Sequence, residues 1–302
     1  MKTLDIASAV IGEGAKDGGC KYGASALLKS GMVQSLARAG RSVQTLAAVT
    51  ADPMSARDRM DVVARFSREH AETVLRAVRG GRQLLVLGGD HSCAIGTWSG
   101  AAQALALKGR LGLIWVDAHL DAHTPQTSES QAPHGMPLAA LLGHGSAAFT
   151  EIFGWSGKLR PENVVVIGVR SYEPAERALL EALGVHIIYM EEVARRGFAP
   201  CFAEAKAAVT SGCAGWGVSF DVDGLDPEEA PATGTPVGNG IPLDQAMAAL
   251  SLCRDDPRFV ALEIAEYNPL KDFGGKTARA VHALAVAGLG LGVPVPAEDL
   301  VS

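Results

Sequence analysis

The chain has 302 residues, enough by the usual scaling of surface with size to bury about three quarters of its unfolded surface around one large core. Its 27 basic and 33 acidic residues give a net charge of −6, which excludes the basic field that nucleic acid or an anionic membrane surface requires. A composition of 48% apolar and 20% charged residues excludes disorder and fits a globular protein.

Five cysteines (Cys20, Cys93, Cys201, Cys213 and Cys253) occur without any C-x-x-C pair. Neither a disulfide framework nor a thiolate zinc site is indicated, and a reducing, cytoplasmic location is expected. At the start, Asp5 interrupts the run from Met1 where a secretory signal needs unbroken apolar residues. The longest nearly apolar stretch, Ala283 to Pro296, is cut by Gly288, Gly290, Gly292 and Pro294. It falls short of the roughly 20 residues that span a bilayer.

In chain order, Leu4 to Ile11 reads as the first strand, and Ala24 to Ala39 as a helix closed by Gly40. Met60, Val63, Phe66, His70, Val74 and Val78 recur at spacings of three and four until Gly80-Gly81, a helical stripe with His70 expected at the core's edge. Leu84 to Leu87 runs into Gly88-Gly89-Asp90-His91, and Leu113 to Val116 into Asp117-Ala118-His119. A helix is expected to start near Pro137. Val164 to Val169 then meets Arg170, and Pro174 to Leu183 reads as a helix closed by Gly184. Gly217 to Phe220 runs into Asp221-Val222-Asp223, Asp244 to Cys253 is helical, and Val260 to Ile264 leads to Glu266. Strand-length apolar runs alternating with helices predict a parallel sheet covered by helices on both faces. No repeat or linker divides the chain, so a single domain over 1–302 is expected.

Ligands of open parallel sheets bind beyond the carboxyl ends of the strands, so the polar strand ends are expected to share one cleft. Asp117, His119 and Asp121 stand at i, i+2 and i+4, which places them on one face while the backbone stays extended; Asp221 and Asp223 repeat the i, i+2 spacing. If His91 joins them, four carboxylates share one partly desolvated pocket, and they cannot all stay ionised without cations. Two divalent ions balance the four negative charges, and a bridging hydroxide leaves −1, a balance suited to a cationic substrate. Imidazole and carboxylate ligands without thiolate favour Mn²⁺ over structural zinc. Two other chemistries have weaker support. Gly12 to Gly18 misses the G-x-G-x-x-G nucleotide spacing by one residue, and Cys93 as a thiol nucleophile is better read as a small buried residue.

Gly-Gly-Asp-His-Ser (88–92), Asp-Ala-His-Leu-Asp-Ala-His (117–123) and Ser-Phe-Asp-Val-Asp-Gly-Leu-Asp-Pro (219–227) resemble the three signatures of the ureohydrolase, or arginase, family. His134-Gly135-Met136-Pro137, Ala232-Thr233-Gly234-Thr235-Pro236 and Glu263 to Pro269 agree with it. The resemblance covers nearly the whole chain. It implies a three-layer α/β/α fold with a central, mostly parallel sheet, two Mn²⁺ per subunit, and a homotrimer or homohexamer. It also implies that His91, Asp117, Asp121 and Asp221 hold one metal, and His119, Asp117, Asp221 and Asp223 the other.

The implied reaction is attack of a metal-bridging hydroxide on the guanidino carbon of L-arginine, giving urea and ornithine. In it Asp121 transfers a proton, His134 shuttles protons to solvent, and Glu266 accepts hydrogen bonds from the guanidinium. Glu173 and Glu176 match acidic positions near the substrate's α-amino group, and Ser128 and Ser130 match hydroxyls near its α-carboxylate. His123 and Ala132 depart from the asparagines of the best-known arginases, with His123 offering a substitute donor. Agmatinase, guanidinobutyrase and formimidoylglutamase activities are the alternatives within the family. A non-catalytic protein of the same fold is the distant one, since such proteins typically lack ligands that are all present here.

Overall fold

Among the described residues, 3–291 of this computed structural model, nine strands form one sheet. They are β1 (Leu4–Val10), β2 (Val43–Thr45), β3 (Val49–Thr50), β4 (Gln83–Leu87), β5 (Arg110–Val116), β6 (Val164–Val169), β7 (His186–Tyr189), β8 (Cys213–Asp221) and β9 (Phe259–Ala265). Met1 and Lys2 of the opening segment, and Gly292 and Pro294 of the long apolar stretch, lie outside the described residues. The strand order is β2-β1-β4-β9-β8-β5-β6-β7, with β3 also paired to β1, and every pairing is parallel.

The alternation of side chains divides the core in two. Leu85 and Leu87 of β4, Ile114 and Val116 of β5, and Val165 and Ile167 of β6 point to one face, beneath the helices at 23–29, 32–38, 198–210, 243–250 and 276–289. Leu84 and Val86, Leu113 and Trp115, and Val164 and Val166 point to the other, beneath the helices at 59–79, 93–105, 137–141 and 174–183. Burial on both faces explains why these strands read as unbroken apolar runs. The result is the expected three-layer α/β/α architecture. Among the described residues no helix is long and apolar enough to cross a membrane.

Two expectations are corrected, and three edge strands were not anticipated. The segment 24–39 forms two helices, Gly23–Lys29 and Met32–Arg38, because Gly31 takes a left-handed φ of 96°. Both halves bury residues in the same core, so the apolar pattern runs across the break without marking it. His282, from the last helix, staples the break: its ring nitrogens lie 2.9 Å from Ser30 Oγ and 3.0 Å from Ser35 Oγ. His70 sits inside the core rather than at its edge, fully buried with Nε2 3.0 Å from Thr97 Oγ1. The edge strands β2, β3 and β7 are two to four residues long, too short to give a periodic signal.

The chain passes from β4 to β5 across a gap of two strands that β9 and β8 later fill. The carboxyl ends of β4, β9, β8 and β5 therefore lie side by side at the middle of the sheet, although they are far apart in sequence.

Burial lowers both His70 and His282 to about 4. An unfolded histidine titrates near 6.5, so each contributes stability that is full above that pH and is lost as the pH falls toward 4, at about 1.4 kcal/mol per pH unit. His70→Leu is expected to flatten the loss of unfolding free energy between pH 6 and 5 by about that amount in urea titrations. An unchanged slope would contradict the assignment.

A candidate metal centre

Two adjacent strands end in the same local device. β5 stops at Val116, and Asp117 Oδ1 accepts a hydrogen bond from the His119 amide at 2.7 Å. β8 stops at Asp221, whose Oδ1 accepts from the Asp223 amide at 2.8 Å. Each i, i+2 pair is thus folded over an aspartate-capped turn instead of projecting from an extended backbone, because the carboxylate satisfies an amide that the sheet no longer pairs. His91 arrives from β4 by a turn in which a Cβ on Gly89 would lie 1.9 Å from Ile11 O, so only glycine fits there.

The six predicted ligands converge. His91 Nδ1 lies 3.3 Å from Asp117 Oδ2, 3.1 Å from Asp121 Oδ2 and 3.0 Å from Asp221 Oδ2. His119 Nδ1 lies 3.4 Å from Asp117 Oδ1 and 3.2 Å from Asp223 Oδ2. Among the described residues two compact groups could hold a metal ion, His91–Asp117–Asp221 and Asp117–His119–Asp223, each with ligand atoms within 4.8 Å of one another. Asp117 belongs to both, offering one oxygen to each side. Asp121 borders the first group through His91, and its backbone takes a left-handed φ of 48°, a strain that a packed site can hold.

A fixed chain behind His91 sets its tautomer. The Ser219 hydroxyl donates to Glu263 Oε1 at 2.7 Å, so its oxygen accepts from His91 Nε2 at 3.0 Å. Nδ1 is thereby turned toward the carboxylates: without a metal it carries a proton among them, and on losing that proton it offers its lone pair to a cation. Trp98 Nε1 also donates to Glu263 Oε1 at 3.0 Å, while the Trp115 ring stacks on His91 at 4.3 Å and its Nε1 donates to Asp117 Oδ2 at 2.9 Å. An oriented imidazole nitrogen among carboxylate oxygens is the donor set of a divalent first-row ion, so these residues fit the expected metal.

The electrostatics point the same way. Burial and the Asp117 charge push Asp121 up to about 7. Burial, with Asp223 and Asp117 adding to it, raises Asp221 well above the carboxylate range, and burial raises Asp223 too. Burial also acts against an ionised Asp117, but its two imidazole neighbours hold it below the usual range. Burial would lower both histidines, yet the surrounding carboxylates raise His91 and carry His119 up to about 12. The centre demands positive charge, and the imidazoles gain basicity to supply it.

A cleft of about 210 Å³ opens over this centre, lined by His119, Asp121, His123, Ser130, His134, Glu173 and Glu176 among others. His134 Nδ1 lies 3.2 Å from Glu266 Oε1, which holds His134 up to about 9 against the effect of burial. Glu266 does not line the cleft. It is buried with a φ of 66°, its Oε1 also accepts the His91 amide at 2.9 Å, and its Oε2 receives the Cys20 thiol at 3.2 Å. His123 Nε2 faces Glu173 at 3.1 Å and Glu176 at 3.3 Å, and Nδ1 meets Thr127 Oγ1 at 3.1 Å. Glu176 accepts the amides of Ala122 and Glu173, both at 3.0 Å. Ser128 is buried 3.4 Å from Ser130 and does not line the cleft.

A family model described as the arginase family matches residues 6–290. The chain belongs to the arginase family. Like other members of the arginase family it is a hydrolase. It is 37% identical to the arginase of Bacillus caldovelox over 295 residues, covering 94% of this chain and 97% of that one. The crystal structure of Bacillus subtilis arginase superposes with a TM-score of 0.88 at 34% identity, covering 96% of this chain and 99% of that one. An Entamoeba histolytica arginase solved in complex with L-ornithine has a TM-score of 0.87 at 27% identity, covering 97% and 99%.

Sequence reasoning missed the layer behind the candidate ligands of this site: Trp115, Ser219, Trp98, Arg170 and Thr235, whose hydroxyl donates to Asp223 Oδ2 at 3.1 Å. It noted Glu263 without linking it to His91. Strand alternation carried part of the signal, since Trp115 and Ser219 stand two residues before Asp117 and Asp221 on the same faces, and Ser219 pairs in register with Glu263.

Crowded carboxylates destabilise the metal-free protein. Asp221→Asn keeps the acceptor for the Asp223 amide and removes one charge. In chelator it is expected to melt a few degrees above the unsubstituted protein, a gain of about 1 to 2 kcal/mol. A lower melting temperature under those conditions would contradict the crowding.

Proposed function

We propose that the protein hydrolyses L-arginine to urea and L-ornithine with two Mn²⁺ per subunit. The observation that carries this reading is the pair of histidine–carboxylate groups joined through Asp117 at the floor of a small cleft. His91, Asp117, Asp121 and Asp221 would hold one ion, and His119, Asp117, Asp221 and Asp223 the other. When bound, such a pair lowers the pKa of water and so supplies a hydroxide nucleophile near neutral pH.

The chain's own residues do the rest. Asp121, raised toward neutrality, accepts a proton at its carboxylate and returns it to the departing amine. His134, at the cleft wall and held protonated by Glu266, exchanges protons with solvent. Glu266, buried behind the cleft wall, would pair with the planar guanidinium once substrate reaches past His134, through Oε2, the more available oxygen because the Cys20 thiol is a weak donor.

At the far end, Glu173 caps the 174–183 helix, meets His123 Nε2 at 3.1 Å and is half-exposed, so it can also pair with the α-amino group, whereas Glu176 is occupied by two amides and fixes Glu173 in place. Ser130 and His123 supply donors for the α-carboxylate, with Ser128 behind Ser130. The ornithine complex of the Entamoeba relative supports a cleft of this family that accepts an amino acid. On resemblance to the family the reading extends to a cytoplasmic homotrimer or homohexamer. A second reading, agmatine as substrate, draws support from His123, whose Nε2 already faces two glutamates where a substrate carboxylate would need a free donor.

With Mn²⁺ added, urea release is expected at least ten times faster, in kcat/KM, from arginine than from agmatine or 4-guanidinobutyrate. Formimidoylglutamate is expected to yield no formamide. Glu173→Gln should raise KM for arginine about tenfold or more with a smaller effect on kcat, as loss of a charge-assisted bond of roughly 1.5 to 3 kcal/mol requires. Preference for agmatine would overturn the role given to Glu173, and no hydrolysis of any guanidino compound would overturn the function.

A further inference from the structure

We propose that Arg170 is a positioning residue that locks the Asp223 side of the metal centre to the Asp117–His119 turn, so that one of the two metal half-sites depends on it and the other does not. The inference rests on the two-metal reading above.

Arg170 follows β6, the neighbour of β5, and directs its whole guanidinium at backbone carbonyls. Nη2 donates to Asp223 O at 2.7 Å, Val237 O at 2.8 Å and Leu225 O at 3.2 Å. Nη1 donates to Gly168 O at 3.1 Å and Gly224 O at 3.4 Å, and Nε donates to Gly238 O at 3.1 Å. Its own amide donates to Ala118 O at 2.9 Å, inside the Asp117–His119 turn. One residue thus ties together the end of β6, the turn that carries Asp117 and His119, and both sides of the loop that carries Asp223.

These carbonyls lie beyond the strand ends, where the sheet no longer pairs them, and a half-buried carbonyl needs a donor. A planar fork of five N–H groups can serve several at once, which a lysine ammonium on a flexible stem cannot. Arg170 holds the Asp223 backbone, whose side chain meets Thr235 Oγ1, the Ala118 amide and His119 Nδ1; Ala118 and His119 belong to the turn that the Arg170 amide also holds. The His91 side is held by the Ser219–Glu263 chain and the Trp115 stack, none of which touches Arg170. The dependence is therefore one-sided.

The test is Mn²⁺ binding by chelator-stripped protein, followed by calorimetry and by the electron spin resonance of free and exchange-coupled Mn²⁺. The unsubstituted chain is expected to bind two ions. Arg170→Lys, which keeps the charge and loses the fork, should bind one ion with affinity within threefold of the unsubstituted protein. The other should weaken 10- to 100-fold, the usual effect of losing an outer-shell partner, and the exchange-coupled signal should fade. Should the lysine variant fail to fold by near-ultraviolet circular dichroism, Arg170→Gln, whose amide reaches fewer carbonyls, carries the same comparison. Two ions bound as tightly as before, or both affinities falling together, would overturn the role of Arg170. Fewer than two ions on the unsubstituted chain would instead overturn the two-metal reading.

Discussion

Four buried aspartates within reach of two imidazoles are an arrangement that a folded chain resists, since each carboxylate raises the cost of ionising the next. Around it the rest of the structure makes sense. The site stands at the middle of a sheet buried on both faces, where the strands are least able to yield. Asp121 and Glu266 hold left-handed backbones that cost about 1 kcal/mol or more each. Both are pinned by their neighbours: the Asp121 carbonyl accepts the Leu138 amide at 3.0 Å, and the Glu266 amide donates to Gly89 O at 2.8 Å.

The two sides of the centre are built from different materials. Behind His91 lies a rigid layer of side chains from three neighbouring strands and the 93–105 helix, in which indole, hydroxyl and carboxylate fix one tautomer. Around His119 and Asp223 the support is mostly backbone, from aspartate-capped turns and the loop past β8. Glu266 connects centre and cleft, because one of its oxygens meets both the amide of His91 and the ring of His134. The same contact that raises His134 thus also reaches the backbone of a candidate ligand.

Much of this was legible in the sequence. Apolar runs ending in Asp, His or Glu announced a parallel sheet with polar strand ends, and the order of the three signature segments pointed to the family. Convergence of His91 with Asp117 and Asp221 followed from the rule that such ends share a cleft. The geometry of convergence did not: spacing suggested an extended face, and the chain uses turns, because an aspartate leaving a sheet caps the nearest free amide. The break at Gly31 was hidden by an apolar stripe that serves one core on both sides of it. Arg170 and Thr235 were invisible as partners because their contacts are to carbonyls and side chains brought near only by the crossing from β4 to β5 and the later insertion of β8 and β9. The pairing of His123 with Glu173 and Glu176 likewise depends on two loops meeting above different strands.

On the proposed reading, this cluster surrounds two cations that share Asp117. Anomalous X-ray diffraction at the manganese edge, from crystals grown with Mn²⁺, tests it most directly. Two peaks are expected, one among His91, Asp117 and Asp221 and the other among Asp117, His119 and Asp223. A single peak, or density for manganese only at the surface, would contradict it.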